Sequence, residues 1–365
     1  MGMGWRAGLA AIALALAGCG APGDQAATVR IYNWSDYIDP AILADFTKET
    51  GVRTSYDVFD SNEVQETKVL TGGTGYDVVT PSNNNLVRFI AAKAVQPLDP
   101  ALLPNAKNLW PELVGRMQPF DPGLRYSVPY MWGTIGLGYD KAAVHKRLPG
   151  VAIDSWKIAF DPAVLSKLAD CGVYFLDASE DMYSLVLASM GKDPNSKDPA
   201  DYAAATKVLE AVRPYVRKFH SSEYINALAN GQACLAIGYS GDVLQARDRA
   251  AEAKKGVEIA YAIPKEGSQV WFDVFAIPVD APDPKAAHAF LNYMLRPEVI
   301  AHASNATRYP NANAAATPLV DASVRDDPNI YPTPEVFSRL FTIAPKDQAL
   351  LREVNRQWTR VQTGR

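Results

Sequence analysis

The sequence predicts an α/β protein built as two lobes around a cleft. Three observations carry this. Short apolar runs alternate with helical patterns from residue 28 onward, the alternation of an open α/β sheet. A glycine-rich, β-like stretch, Gly133-Thr134-Ile135-Gly136-Leu137-Gly138-Tyr139, ends that series, and a second series follows. A further aromatic stretch at 271–278 comes late in the chain. The chain therefore crosses between the two series and returns, which gives a hinge and a cleft faced by strand ends.

The elements follow in order. Residues 29–32, 53–58 and 76–79 read as strands. Between them, 40–49 carries Ile42, Leu43 and Phe46 at helical spacing, with Pro40 at its start and Gly51 past its end. A second helix, 61–70, opens on Ser61 and stops at Gly72. After the glycine-rich strand come a helix at 142–147, a strand at 173–176, helices at 181–190 and 199–212, and a strand at 233–239. The stretches 257–262 and 271–278 precede a helix at 284–295 that ends in Arg296-Pro297. No internal repeat or low-complexity tract interrupts this. The expected division is 28–132 with 275–304 in one lobe, and 133–274 with 305–365 in the other.

Composition fits such a chain. It has 365 residues, 48% hydrophobic and 21% charged, with a net charge of −4. That excludes a disordered chain and disfavours a nucleic-acid partner, which calls for a basic surface. The start is a targeting segment. Arg6 is followed by the apolar run 7–17, too short to span a bilayer. Leu16-Ala17-Gly18-Cys19 resembles a bacterial lipobox, so 1–18 reads as a lipoprotein signal peptide and 19–27 as a linker. Cys19 would carry the lipid, placing the protein in the periplasm on a membrane anchor. Cys171 and Cys234 remain, an even pair in an oxidising compartment, read as a disulfide or as two buried thiols.

The ends of the predicted strands hold unusual residues. Trp34, Ser35, Asp36 and Tyr37 follow the first strand, and Ser82 follows the third. Asp181, Tyr239, Asp242, Trp271, Asp273 and Tyr309 occupy similar places later. Rings recur beside carboxylates, with few basic groups among them. A cation with an apolar body wants this combination: a desolvated ammonium needs an anionic acceptor, and its methylenes pack on aromatic faces. A sugar also favours rings and carboxylates. Each residue has a plainer role open to it. Asp36 or Asp242 could cap a helix, Asp181 could sit in a first helical turn, and Trp34 or Trp271 could anchor a core. Catalytic signatures are poor. Gly238-Tyr239-Ser240-Gly241-Asp242 lacks the last glycine of a nucleophile elbow, and Gly72-Gly73-Thr74-Gly75 lacks the lysine of a phosphate loop. His145, His220, His288 and His302 have no metal-ligand spacing. No metal or cofactor is expected.

Longer motifs carry a resemblance. Tyr32-Asn33-Trp34-Ser35-Asp36-Tyr37-Ile38, Phe59-Asp60-Ser61-Asn62-Glu63, Val128-Pro129-Tyr130-Met131-Trp132-Gly133 and Trp271-Phe272-Asp273-Val274-Phe275 resemble the periplasmic polyamine-binding proteins of ABC importers. The likeness continues through Phe219-His220-Ser221-Ser222 and Asn292-Tyr293-Met294-Leu295-Arg296-Pro297. It implies a type II periplasmic binding protein fold that closes about hinge strands, without catalysis. The expected partners are a putrescine or spermidine ligand and membrane permease subunits, with the binding protein itself a monomer. By the same resemblance, Trp34 and Tyr37 would stack on methylenes, and Ser35, Asp36 and Ser82 would bond an ammonium group or close over it. Tyr239, Trp271 and Tyr309 would form walls, Asp242 and Asp273 would neutralise an ammonium, and Asp181 would hold the far amine. Asp181 in place of the family's usual Glu, Tyr239 in place of Trp, and Trp271 in place of Phe lean toward a ligand somewhat larger than putrescine. A polyamine sensor and a carbohydrate-acting enzyme are the alternative readings.

Overall fold

A computed structural model describes residues 1–2 and 27–364. The signal peptide and Cys19 lie outside the described residues. Among those described, ten strands form one sheet system. They are β1 (Thr28–Trp34), β2 (Arg53–Phe59), β3 (Val78–Val79), β4 (Ser127–Asp140), β5 (Val173–Phe175), β6 (Lys218–Phe219), β7 (Leu235–Tyr239), β8 (Ile259–Ala262), β9 (Ser268–Ala276) and β10 (Leu340–Phe341). Their order is β2-β1-β3-β9-β4-β7-β5-β6, with β8 beside β4 and β10 beside β9.

β1, β2 and β3 run parallel, in register from Thr28↔Arg53 to Trp34↔Phe59 and at Ile31↔Val78. Parallel strands need helical crossovers, and the sequence supplies them. The helix Pro40–Thr50 starts where the Asp39 side chain accepts from the Ala41 N–H at 2.9 Å, and ends at Gly51 with φ 73°. Its Phe46 is buried edge-on against Phe290 of the helix Pro284–Met294. The helix Asn62–Thr71 is capped by Ser61, as the sequence indicated.

β4 is the strand that joins the two lobes. Residues 127–134 pair with β9, and residues 135–140 pair with β7 and β8. β9 completes the first lobe between β3 and β4, while its other end pairs with β10. The second lobe is built by β5, β6 and β7, again parallel. Among the described helices of eight or more residues, three were not legible in the sequence: Asn83–Ala91, Pro297–Thr307 and Gln348–Thr363. The first opens on three consecutive asparagines, all buried, where a helix normally shows apolar periodicity.

After Tyr309 the chain packs on the first lobe. Trp132 N–H donates to the Pro310 carbonyl at 3.0 Å, and the Trp132 ring meets the edges of Tyr331 and Phe337. The last helix returns to the second lobe, where Trp358 Nε1 donates to Asp177 at 3.0 Å. Cys171 and Cys234 form a disulfide with Cα atoms 5.5 Å apart, tying the starts of β5 and β7. The bridge closes a sequence separation of 63 residues. On the chain-entropy account such a loop stabilises by about 4 kcal/mol. Replacing both cysteines by serine should therefore lower the urea midpoint of the protein clearly. An unchanged midpoint would show that the bridge does not constrain the unfolded chain.

Candidate functional site

The carboxyl ends of β1, β2 and β3 face those of β5, β6 and β7 across a cleft. Its volume is about 530 Å³, solvent-open space included. Ligands of open α/β sheets bind at such ends. From the first lobe, Trp34 ends β1, Ser35 follows it and Ser82 comes after β3, while Asp273 lies opposite Ser82 on β9. From the second lobe come Asp181, in the first turn of the helix Ser179–Ser189, Tyr239 at the end of β7, and Asp242. Tyr37, Trp271 and Tyr309 complete the lining among the expected residues.

Three carboxylates are buried here, with Asp181 5%, Asp242 7% and Asp273 4% exposed. Each accepts hydrogen bonds from neutral donors. Asp273 accepts from Ser82 Oγ at 2.8 Å. Asp242 accepts from the hydroxyls of Tyr224 and Tyr309, both at 2.7 Å. Asp181 accepts from Tyr239 OH at 3.0 Å and Gln269 Nε2 at 2.9 Å. Among the described residues, none of the three forms an ion pair. Burial pushes Asp273 up to about 7, against the pull of the Ser82 hydrogen bond and the nearby Tyr37 hydroxyl, with Asp181 and Asp242 adding to the rise. Burial likewise carries Asp242 to about 7, opposed by the bonds from Tyr309 and Tyr224. Asp181 rises to about 6, again through burial, opposed by Gln269 and Tyr239. Burial holds the Tyr37, Tyr224, Tyr239 and Tyr309 hydroxyls well above their ordinary value, so they stay neutral donors.

The rings form a box around these groups. Trp271 meets Tyr309 and Tyr239 with centroids at 5.3 and 5.8 Å, and Tyr37 stands edge-on to Tyr309 at 5.1 Å. Two glycines let the backbone come this close. A Cβ on Gly133 would lie 2.6 Å from the Trp271 ring, and one on Gly241 would lie 2.5 Å from the Tyr309 ring. Ser82 shows the local cost of the site. It is the N-cap of the helix Asn83–Ala91 yet makes no side-chain cap bond, because its hydroxyl serves Asp273. A lost cap costs about 1 kcal/mol.

Asp36, expected to bond a ligand ammonium or close over it, lies outside the cleft lining. It is held at φ 54°, and its carboxylate accepts from Arg249 Nη2 at 2.7 Å. Arg249 lies on the helix Ser240–Ala253 of the second lobe, so Asp36 ties the lobes together beside the cleft. It is not the N-cap of the following helix either; Asp39 is. Asp242 also leaves its capping alternative, since the helix begins at Ser240 and both carboxylate oxygens are taken by tyrosines. Sequence reasoning missed Gln269 and Asp60, Asn62, Ser221 and Ser222, which also line the cleft. Asp60 follows β2 as Trp34-Ser35 follow β1, so the strand-end rule could have found it. Gln269 has no such signal.

The arrangement can hold an organic cation, with rings over its carbons and carboxylates at its charges. A cleft of this kind suits a receptor for a small organic solute. The chain belongs to the family of bacterial extracellular solute-binding proteins, which matches residues 41–333. It is 49% identical to the putrescine-binding periplasmic protein PotF of Escherichia coli (strain K12), over 99% of this chain and 98% of that one. It is 46% identical to the putrescine-binding periplasmic protein SpuD of Pseudomonas aeruginosa (strain UCBPP-PA14), over 99% of both. The solved structure of a spermidine/putrescine ABC transporter substrate-binding protein, PotD from Streptococcus pneumoniae, superposes with a TM-score of 0.74 at 28% identity. It covers 92% of this chain and 99% of that one.

The buried carboxylates set a pH dependence. Their folded values, about 6 to 7, lie above the ordinary unfolded value near 4. Between those values the folded chain binds more protons than the unfolded chain. Stability without ligand therefore falls as pH rises through that window, and levels above it. The thermal midpoint of the ligand-free protein should be higher at pH 5 than at pH 8. A midpoint that climbs over that range contradicts the assignment.

Proposed function

We propose that this protein is the substrate-binding component of a polyamine ABC importer, capturing putrescine or a close relative between its lobes and presenting it to membrane permease subunits. It is a receptor and performs no chemistry on its ligand. The observation that carries this is the set of three buried carboxylates, hydrogen-bonded only to neutral groups and boxed by aromatic rings. An ammonium supplies the missing charge, and a polyamine adds methylenes for Trp34, Tyr37, Tyr239 and Trp271 to cover. Each cation–ring contact adds about 0.5–2 kcal/mol. Ser35, Ser82, Asp181, Asp242, Asp273 and Tyr309 are then the polar contacts. The names of the relatives at 49% and 46% identity favour the diamine, against the lean toward a larger ligand drawn from Trp271.

The lobes expected from the sequence are 28–132 with 275–304, and 133–274 with 305–365; the pairing of β9 with β3 and with residues 127–134 of β4 supports moving 270–274 to the first lobe. The packing of Pro310, Tyr331 and Phe337 on Trp132 supports moving the stretch after Tyr309 to the first lobe. The test of function is calorimetric titration with putrescine, cadaverine, agmatine, spermidine and spermine. Asp273→Asn and Asp242→Asn should each weaken binding by roughly 1.5–3 kcal/mol, the worth of a charged hydrogen bond. Affinities within twofold of the parent for both variants would place the site elsewhere.

We also propose that the protein is exported and lipid-anchored through Cys19, on the strength of Leu16-Ala17-Gly18-Cys19. Cys19→Ser should abolish fatty-acid labelling and release the protein from membranes. Persistent label in that variant counts against the anchor.

A further inference from the structure

The inner cleft accounts for Asp181, Asp242 and Asp273. A fourth carboxylate in the same cleft has no part in that arrangement. Asp60 stands just past β2, with its side chain 41% exposed, so it marks the solvent side of the cleft. Among the described residues its carboxylate accepts no hydrogen bond. Its one candidate ion-pair partner there is His220 Nε2, at 3.6 Å. That separation exceeds hydrogen-bonding range. His220 is moreover oriented by its own turn: its Nδ1 accepts the backbone N–H groups of Ser222 and Glu223, each at 3.2 Å. The neutral ring then carries its proton on Nε2, which also lies 3.3 Å from Glu223 Oε1. Glu223 in turn is paired with Lys218. His220 thus gives Asp60 only a distant donor that it shares with Glu223.

The neighbours of Asp60 are acceptors and hydroxyls. Asn62, two residues on, lines the cleft, and its Oδ1 is buried without a donor. Across the gap, Ser221 and Ser222 from the segment after β6 complete the outer wall. An anionic oxygen, an unmet carbonyl oxygen and hydroxyls among the residues lining one cleft fit a group with several N–H donors and a positive charge.

We infer that this outer end is a subsite for the additional ammonium of an amine longer than a diamine, with Asp60 as its charged contact and Asn62 as its neutral acceptor. The inference rests on the polyamine reading of the inner cleft. A diamine fills the inner chamber, and a triamine extends past it to Asp60. Asp60 thereby sets how strongly the receptor favours the longer ligand.

The experiment is parallel titration of the full mature protein with putrescine and spermidine, for the parent, Asp60→Asn and Asp57→Asn. Asp57 is an exposed carboxylate on β2 that bonds Tyr76 and does not line the cleft, so it reports the general field of a lost charge. Asp60→Asn should lower the preference for spermidine over putrescine by about fivefold, the worth of one partly exposed charge contact. Asp57→Asn should leave that ratio within twofold. An unchanged ratio in Asp60→Asn, or an equal fall in Asp57→Asn, overturns the subsite. So does a parent protein that binds putrescine and excludes spermidine. A parent that binds neither amine overturns the polyamine reading itself, and the subsite with it.

Discussion

Taking a carboxylate out of water costs several kcal/mol unless charge and hydrogen bonds meet it, and this cleft does so at three positions. The tyrosines around Asp242 and the Ser82 and Gln269 bonds offset part of the cost with dipoles. They leave the charge itself unanswered. The arrangement makes sense for a receptor: a fixed internal cation would neutralise the carboxylates and occupy the place of the ligand. The protein instead pairs its nearby cations, the buried Lys346 included, with other carboxylates. Arg249 reaches Asp36, and Arg88 lies 3.0 Å from Glu180, next in sequence to Asp181. Both pairs span the two lobes, so closure and charge balance are settled at the rim while the centre waits for the ligand.

Enclosure follows from the same requirement. A cation–carboxylate contact strengthens as water leaves, and the rings provide the dry surface. They come from both lobes: Trp34, Tyr37 and Trp271 on one side of the crossing strands, Tyr239 on the other, with Tyr309 on the returning segment. β4 and β9 make this possible, because one belongs to both sheets and the other places Asp273 and Trp271 two residues apart on the same face. Gly133 and Gly241 are small where the rings need to approach backbone.

Much of this was legible in the chain. The parallel β1, β2 and β3 and their crossover helices announce themselves through periodicity, Ser61, Pro40 and Gly51. The crossing strands announce themselves through glycines among aromatics. Ten of the eleven expected ligand contacts line one cleft, because polar and aromatic residues at strand ends break the local pattern in a visible way. Asp36 breaks the same pattern and pairs with Arg249 across the lobes, a partner far away in sequence that no local signal announces. The helix starting at Asn83 was hidden because buried asparagines carry polar duty there. Gln269 was hidden because a glutamine inside a strand looks like any solvent-facing residue until Asp181 is placed beside it.

The position of β9 also governs how the chain assembles. This strand completes the first sheet between β3 and β4, although most of the second lobe lies between them in sequence. When the first residues emerge, β1, β2 and β3 can pair but their sheet has an open edge. It stays open until the chain through Ala276 is available. Pairings of such long sequence separation form slowly, and open edges invite wrong partners. Folding of the first lobe therefore waits on the far side of the molecule, and a truncation before β9 leaves an aggregation-prone half-sheet.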